Sequence, residues 1–296
     1  MAIDPIPAEV RARLRELRLG TRRDAGGAGL GQHASRSRGA GLEFAQYRAY
    51  EPGDEPRRID WKLYGRSDRY FVRDAERDSP LELWLLIDAT ASMQQADGAR
   101  PAYRKFDAGC LLAACVIELA LRQGDAFALA TLGAATPLLL APAAGARQRD
   151  RCLIELSRID PAGRWPANGQ ARQVTARIPA HALVLLLSDF FDAGAVELAH
   201  RLADAGREVL TLQLLTADER DFPFHGGRRF IDPESNAQRH AEAAAVRERF
   251  LADFGAARTA LARGCAARGI RHTEGFLDEP VDAPLRRLFG APEVRR

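Results

Sequence analysis

Residues 81–92 read LELWLLIDATAS: a nearly unbroken apolar run, Leu81–Ile87, that stops at Asp88 and is followed by Thr90 and Ser92. A run of this length without polar alternation reads as a strand covered on both faces. A second run, Ala182–Leu187, has the same character and stops at Ser188-Asp189. Helical patterns lie between and after them. The spacing predicts helices over 106–121, stopped by Gln123-Gly124, over 147–158, and over 196–205, stopped by Gly206. Further strands are predicted at 126–132, 137–140, 208–215 and 270–276. A hairpin or loop is expected at 222–233. A long helix is expected at 240–268, with Val246, Phe250, Phe254 and Leu261 on one face, and a last helix at 281–289. Buried strands alternating with helices imply an α/β fold, a doubly wound and mostly parallel sheet. In such sheets ligands bind beyond the C-terminal strand ends, at the point where the strand order reverses. Asp88 and Asp189 are both expected at such ends.

The N-terminal 80 residues differ in texture. Residues 7–19 carry Val10, Leu14 and Leu17 at helical spacing, with arginines on the other faces. Residues 20–41 are rich in Gly, Ser and Arg and read as a loop. Residues 42–80 hold Phe44, Tyr47, Tyr50, Trp61, Tyr64, Tyr70 and Phe71 around a Pro52-Gly53-Asp54 turn. The expected division is therefore 1–80, with helix, loop and aromatic segment, and 81–296, the α/β domain.

Composition limits the function classes. The 296 residues carry 43 basic and 40 acidic side chains, a net charge of +3. This near-balance makes no general electrostatic case for nucleic acid or a membrane surface. Arginines cluster at 11–23, read as a solvated face, or as a contact for an acidic partner or nucleic acid. Only Lys62 and Lys105 are lysine, which reads first as a high-GC genome. Cys110, Cys115, Cys152 and Cys265 lack CxxC spacing and read as buried reduced thiols. Neither a signal peptide nor a membrane-length apolar run is visible, so a cytoplasmic protein is expected. There is no GxSxG, no Walker A motif, no HExxH and no zinc spacing. His33 stands alone in its loop.

An acid and two hydroxyls at alternate positions, Asp88, Thr90 and Ser92, can turn three oxygens to one point, as Mg²⁺ requires. Asp189 can add a second carboxylate. The plainer reading makes Thr90 and Ser92 caps of the following turn.

Asp88-Ala89-Thr90-Ala91-Ser92 resembles the DxSxS signature of the metal-ion-dependent adhesion site in von Willebrand factor A (vWA) domains, with Thr90 in place of the first serine. Ser188-Asp189 matches that family's later acid. The resemblance also implies a threonine on an intervening loop. The corresponding stretch, residues 160–168, holds none, and Arg164 lies near its place. A second resemblance covers about residues 28–290. Gly41, Glu43, Phe44, Arg48, Tyr50, Pro52, Gly53, Asp54, Arg58, Ile59, Asp60 and Trp61 are similar to the signature of the bacterial family called domain of unknown function 58 (DUF58), and Gly31, His33, Ser35 and Gly39 also fit. It implies a signature segment fused to a vWA-like domain, working beside a MoxR-type AAA+ ATPase.

In physical terms, Arg48, Arg58 and Arg66 can pair with Glu43, Asp54 and Asp60, while Tyr50 and Trp61 offer flat apolar area. This network reads either as a clamp on the α/β domain or as a partner surface. The expected function is a non-enzymatic interaction module, without catalytic residues. It would bind a protein partner, an AAA+ ATPase or its client, through Mg²⁺ or Mn²⁺ on Asp88, Thr90, Ser92 and Asp189. Two alternatives stand beside it. One is a metal-dependent hydrolase or nuclease using Asp88 and Asp189 with help from Asp54 or Asp60. The other is a scaffold with no metal.

Overall fold

The computed structural model describes residues 5–20, 46–51, 54, 56–74, 81–133, 137–166 and 169–290. They fall into two compact units, one formed within residues 46–74, the other by residues 5–20 together with those from 81 onward.

The larger unit is built on six strands: β3 (Glu82–Asp88), β4 (Ala126–Leu132), β5 (Leu139–Ala143), β6 (Leu183–Ser188), β7 (Glu208–Leu215) and β10 (Arg271–Phe276). Their order is β5-β4-β3-β6-β7-β10. All neighbours run parallel except β4 and β5, which are antiparallel. The chain therefore starts at β3, winds outward one way through β4 and β5, then returns to the other side of β3 with β6. The reversal opens a crevice beyond the C-terminal ends of β3 and β6. Ile87 pairs with Leu187, so Asp88 and Ser188 end neighbouring strands in register.

Strand alternation builds the two cores. Leu83, Leu85 and Ile87 of β3, with Leu183, Leu185 and Leu187 of β6, face one way. They meet α3 (Lys105–Gln123), α4 (Ala146–Leu156) and α9 (Ala283–Phe289) through Leu112, Val116, Cys152 and Leu285. Trp84, Leu86, Val184 and Leu186 face the other way. They meet α5 (Gly169–Arg177), α6 (Ala193–Asp204) and α8 (Ala243–Ala267) through Val174, Leu198 and Cys265. Both faces are covered, as unbroken apolar strands require.

Two expectations need correction. The first helix, α1 (Ala8–Leu14), does not group with the aromatic segment. Ile6, Val10, Leu14, Leu17 and Leu19 join the core on the α3 side. Its backbone is tied down as well. Arg122 Nη1 donates to the Leu14 carbonyl at 2.9 Å, and Leu19 N–H donates to Gln123 Oε1 at 2.7 Å while Gln123 Nε2 donates back to the Leu19 carbonyl at 2.9 Å. Two of the arginines expected on a solvated face are paired, Arg11 with Glu118 at 3.1 Å and Arg13 with the buried Asp282 at 2.8 Å. The long helix expected from residue 240 starts at Ala243. Gln238–Glu242 is instead a strand, β9, paired antiparallel with β8 (Gly227–Ile231). A five-pair hairpin ladder outweighs the weak helical signal there. Helix α5 and the short α7 (Ala217–Asp221) were not legible. Only Ala171 and Val174 of α5 are buried, too few to mark a period.

The smaller unit pairs β1 (Gln46–Ala49) antiparallel with β2 (Phe71–Asp74) and carries α2 (Trp61–Ser67) between them. Among the described residues, no helix is long and apolar enough to cross a membrane.

Leu14 is fully buried in the main core. Leu14→Ala is expected to destabilise the protein by about 2–5 kcal/mol, read as a lower denaturation midpoint. An unchanged midpoint would mean that α1 is not part of the cooperative unit.

Candidate functional site

Strand β3 delivers Asp88 into the crevice with 2% of its surface exposed, and Thr90 and Ser92 follow, buried. The Thr90 amide donates to Asp88 Oδ1 at 2.9 Å, folding the chain back over the carboxylate. Thr90 stands at the N-cap of the turn Ala91–Gln94, yet its side chain makes no capping bond. Its hydroxyl lies 3.0 Å from the Ser92 hydroxyl instead. The plainer reading of this pair as turn caps therefore fails for Thr90, because the oxygen is turned inward. Gly133 at the end of β4 has φ +88, and a Cβ there would stand 2.5 Å from Thr90 Cγ2. Only glycine lets that loop press so closely on the site.

From β6, the Ser188 hydroxyl donates to Asp88 Oδ2 at 2.6 Å and accepts the Phe190 amide at 3.0 Å. Phe190 has φ 57, a left-handed backbone in a bulky residue, at the turn just after Asp189. Asp189 is 2% exposed. The crevice thus gathers Asp88, Thr90, Ser92 and Asp189, the four residues singled out from sequence. Burial first, and then the nearby charge of Asp189, pushes Asp88 up to about 7, against the hydrogen bonds from Ser188 and Thr90.

One side chain was missed. Lys105, the first residue of α3, is 0% exposed, and its ammonium donates to Asp189 Oδ2 at 3.3 Å, Glu219 Oε1 at 2.7 Å and Gln95 Oε1 at 2.9 Å. Burial works against its charge, but Asp189 and Glu219 outweigh burial and hold it above the ordinary lysine value. The exposed ring of Phe191 lies 4.7 Å from the ammonium. A signal was present in the sequence: a single lysine here in a chain that otherwise uses arginine almost everywhere. A compact ammonium with three donors fits a closed three-acceptor pocket better than a planar guanidinium. Glu219 is held in turn by a reciprocal capping box with Thr216.

The loop without a threonine is in place. The Ala91 amide donates to the Gly163 carbonyl and the Ala162 amide to the Ala89 carbonyl, both at 2.9 Å. Arg164 of this loop donates from Nε to the Glu234 carbonyl at 2.9 Å.

The donor set suits a hard divalent ion. The Asp88 carboxylate and the Thr90 and Ser92 hydroxyls lie together, and burial followed by the nearby charge of Asp189 disfavours the bare Asp88 anion. Among the described residues no three carboxylates, imidazoles or thiolates stand ready as a cage. An ion here would have to draw on hydroxyls and water as well.

The signature residues sit in the other unit. Asp60 Oδ1 accepts the Lys62 and Leu63 amides at 2.9 and 3.0 Å, capping α2, and Asp54 Oδ2 accepts the Glu51 amide at 2.9 Å. Both carboxylates thus have structural work within their own segment. Tyr64 stacks on Tyr70 with centroids 4.5 Å apart. Tyr50 meets Tyr70 edge-on, and Trp61 meets both Tyr64 and Tyr70 edge-on while staying 59% exposed. Arg66 lies exposed in the last turn of α2. The pairings expected of Arg48 and Arg58 involve side chains outside the described set, as do Gly41, Glu43, Phe44, Pro52 and Gly53.

Strand order, the antiparallel edge strand β5 and a strand-end Asp-x-Thr-x-Ser loop at the switch point define a vWA-like α/β protein. The model of the family described as Protein of unknown function DUF58 matches residues 46–260, and the chain belongs to that family. An uncharacterized protein of Mycobacterium tuberculosis is 29% identical over 265 residues, 86% of this chain and 82% of its own length. Among solved structures, the SpRpn10 VWA domain has a TM-score of 0.41 at 10% identity, covering 72% of this chain and 96% of that one. BatB from Bacteroides thetaiotaomicron has a TM-score of 0.36 at 14% identity, covering 64% and 98%. These distant similarities leave the strand order and the family match to define the fold.

Lys105→Met keeps the length of the side chain but strands Asp189 in the interior. The expected cost is about 3–5 kcal/mol, measured by urea denaturation. A midpoint equal to wild type would show that Asp189 does not depend on the ammonium.

Proposed function

We propose that the protein is an interaction module that engages a protein partner at the crevice, through a divalent ion held by Asp88, Thr90, Ser92 and Asp189. The supporting observation is the inward-turned hydroxyl pair of Thr90 and Ser92 beside the crowded Asp88 carboxylate. Mg²⁺ or Mn²⁺ bound there supplies an electrophilic position for a partner's carboxylate. The chain's own residues do the rest. Asp88 Oδ1 shapes the loop by taking the Thr90 amide, Ser188 orients the other Asp88 oxygen, and Lys105 balances Asp189. The exposed Trp61 with Tyr64 and Tyr70 forms a second candidate contact, since aromatic anchors dominate binding energy. A cytoplasmic MoxR-type AAA+ ATPase, or its client, is the partner that the sequence resemblance implies. No catalytic role is assigned to any residue.

A second reading is favoured by Lys105. Its ammonium already stands against Asp189, so the crevice can serve as a metal-free docking scaffold.

Calorimetry separates the two. Titrating Mg²⁺ and Mn²⁺ into the full chain is expected to give saturable heat that Asp88→Ala abolishes. No heat in the wild type removes the metal and leaves the scaffold. For the aromatic face, Trp61→Ala should leave the denaturation midpoint within about 0.5 kcal/mol of wild type. It should weaken capture of a co-encoded AAA+ ATPase at least tenfold, the scale of a hot-spot truncation. Undiminished capture would clear Trp61 of a binding role.

A further inference from the structure

A row of phenylalanine rings leads away from the crevice to the β8–β9 hairpin. It starts at Phe191, two residues after Asp189. Phe191 meets Phe254 of α8 with ring centroids 6.3 Å apart, and Phe254 stacks on Phe250, one helical turn earlier, at 5.8 Å. Phe250 tilts against Phe222 at 4.9 Å, and Phe222 stacks on Phe230 of β8 at 5.9 Å. Phe254 and Phe222 are buried, whereas Phe191 and Phe250 stand in water, 49% and 36% exposed. Single exposed apolar side chains are ordinary on a protein surface. Two large rings held upright by a continuous aromatic row are the anatomy of a pair of binding anchors.

The row is edged with positive charge. The Arg258 guanidinium lies 5.4 Å from the Phe254 ring, but Glu274 neutralises it. The hairpin end is different. Phe230 pairs with Arg239 across the ladder, so their side chains leave the same face, and Arg228, two residues before Phe230, shares it. Both arginines are exposed, and among the described residues neither forms an ion pair. The Arg228 Nε donates only to a backbone carbonyl, that of His225, at 3.0 Å. Unneutralised guanidinium groups beside apolar anchors complement a segment that is apolar and acidic. An anionic bilayer fits the surface less well, because the turn joining β8 to β9 carries Asp232 and Glu234, which such a bilayer repels.

We propose that this row, ended by Arg228 and Arg239, is a docking strip for a segment of a partner protein that brings two large apolar side chains and adjoining carboxylates. Phe191 and Phe250 take the apolar side chains. The two arginines take the carboxylates, in the bidentate geometry that a guanidinium favours. The strip needs no ion in the crevice, so it stands whether or not a metal binds there.

The test selects a phage-displayed library of random peptides on the full chain. The recovered peptides are expected to share two large apolar positions next to Asp or Glu. A synthetic copy of the most enriched peptide should bind Phe250→Ala and Arg239→Glu at least tenfold more weakly than wild type, and added salt should weaken its binding to the wild type. Arg239 is exposed, so Arg239→Glu tests the strip even if Phe250→Ala disturbs folding. Repeating the selection on the double variant Arg228→Glu, Arg239→Glu should return Lys or Arg where the wild type returned acids, a reversal that damage to the fold would not produce. Peptides without the apolar and acidic pattern, or an enriched peptide that binds the variants as tightly as wild type, would overturn the proposal. So would recovery of no peptide, and binding of phosphatidylserine vesicles that Phe250→Ala abolishes would then assign the strip to a membrane instead.

Discussion

Two carboxylates buried side by side at the mouth of a parallel sheet are the constraint around which the larger unit is arranged. Asp88 ends β3 and Asp189 follows the last residue of the neighbouring β6, both almost wholly excluded from water. Left alone, such a pair would neutralise by taking up a proton or would open the fold. The surrounding structure answers each acid differently. Asp88 receives a hydroxyl and an amide, from Ser188 and Thr90. Asp189 receives the ammonium of Lys105, itself held by Glu219 and Gln95. The residual imbalance falls on Asp88, and it is Asp88 that sits beside two inward-turned hydroxyls. Burial, and then the neighbouring charge of Asp189, therefore act on Asp88.

The departures from the familiar adhesion-site pattern hang together physically. The threonine expected on the third loop is absent, and the loop carries Arg164. That arginine's Nε donates to the Glu234 carbonyl at the tip of the β8–β9 hairpin. Lys105 is a further departure, a fixed positive charge inside the crevice. The crevice thus gathers carboxylates, hydroxyls and an ammonium from its own chain.

The N-terminal helix illustrates how burial decides domain membership. Its arginines drew attention as a charged face, yet the leucines and valine between them insert into the α3 side of the core, and two of the arginines close ion pairs with the same unit. The aromatic segment forms a unit of its own, in which Asp54 and Asp60 accept local backbone amides.

Much of this was present in the linear order of residues. The apolar runs ending in Asp88 and Ser188-Asp189 read as strands buried on both faces, and alternation with helices implied a mostly parallel sheet. The placement of both acids at one rim followed from that topology. The metal-type loop was legible because alternate oxygens in a short turn are a local pattern. Tertiary structure alone decided the rest. Lys105 lies 84 residues from Asp189 and 114 from Glu219 in the chain, so no local periodicity could link either pair. The register of β8 with β9 overrode a weak helical signal because a ladder of cross-strand hydrogen bonds is worth more than propensity. Whether an acid is crowded or balanced depends on what is folded against it, a property of three dimensions and not of residue type.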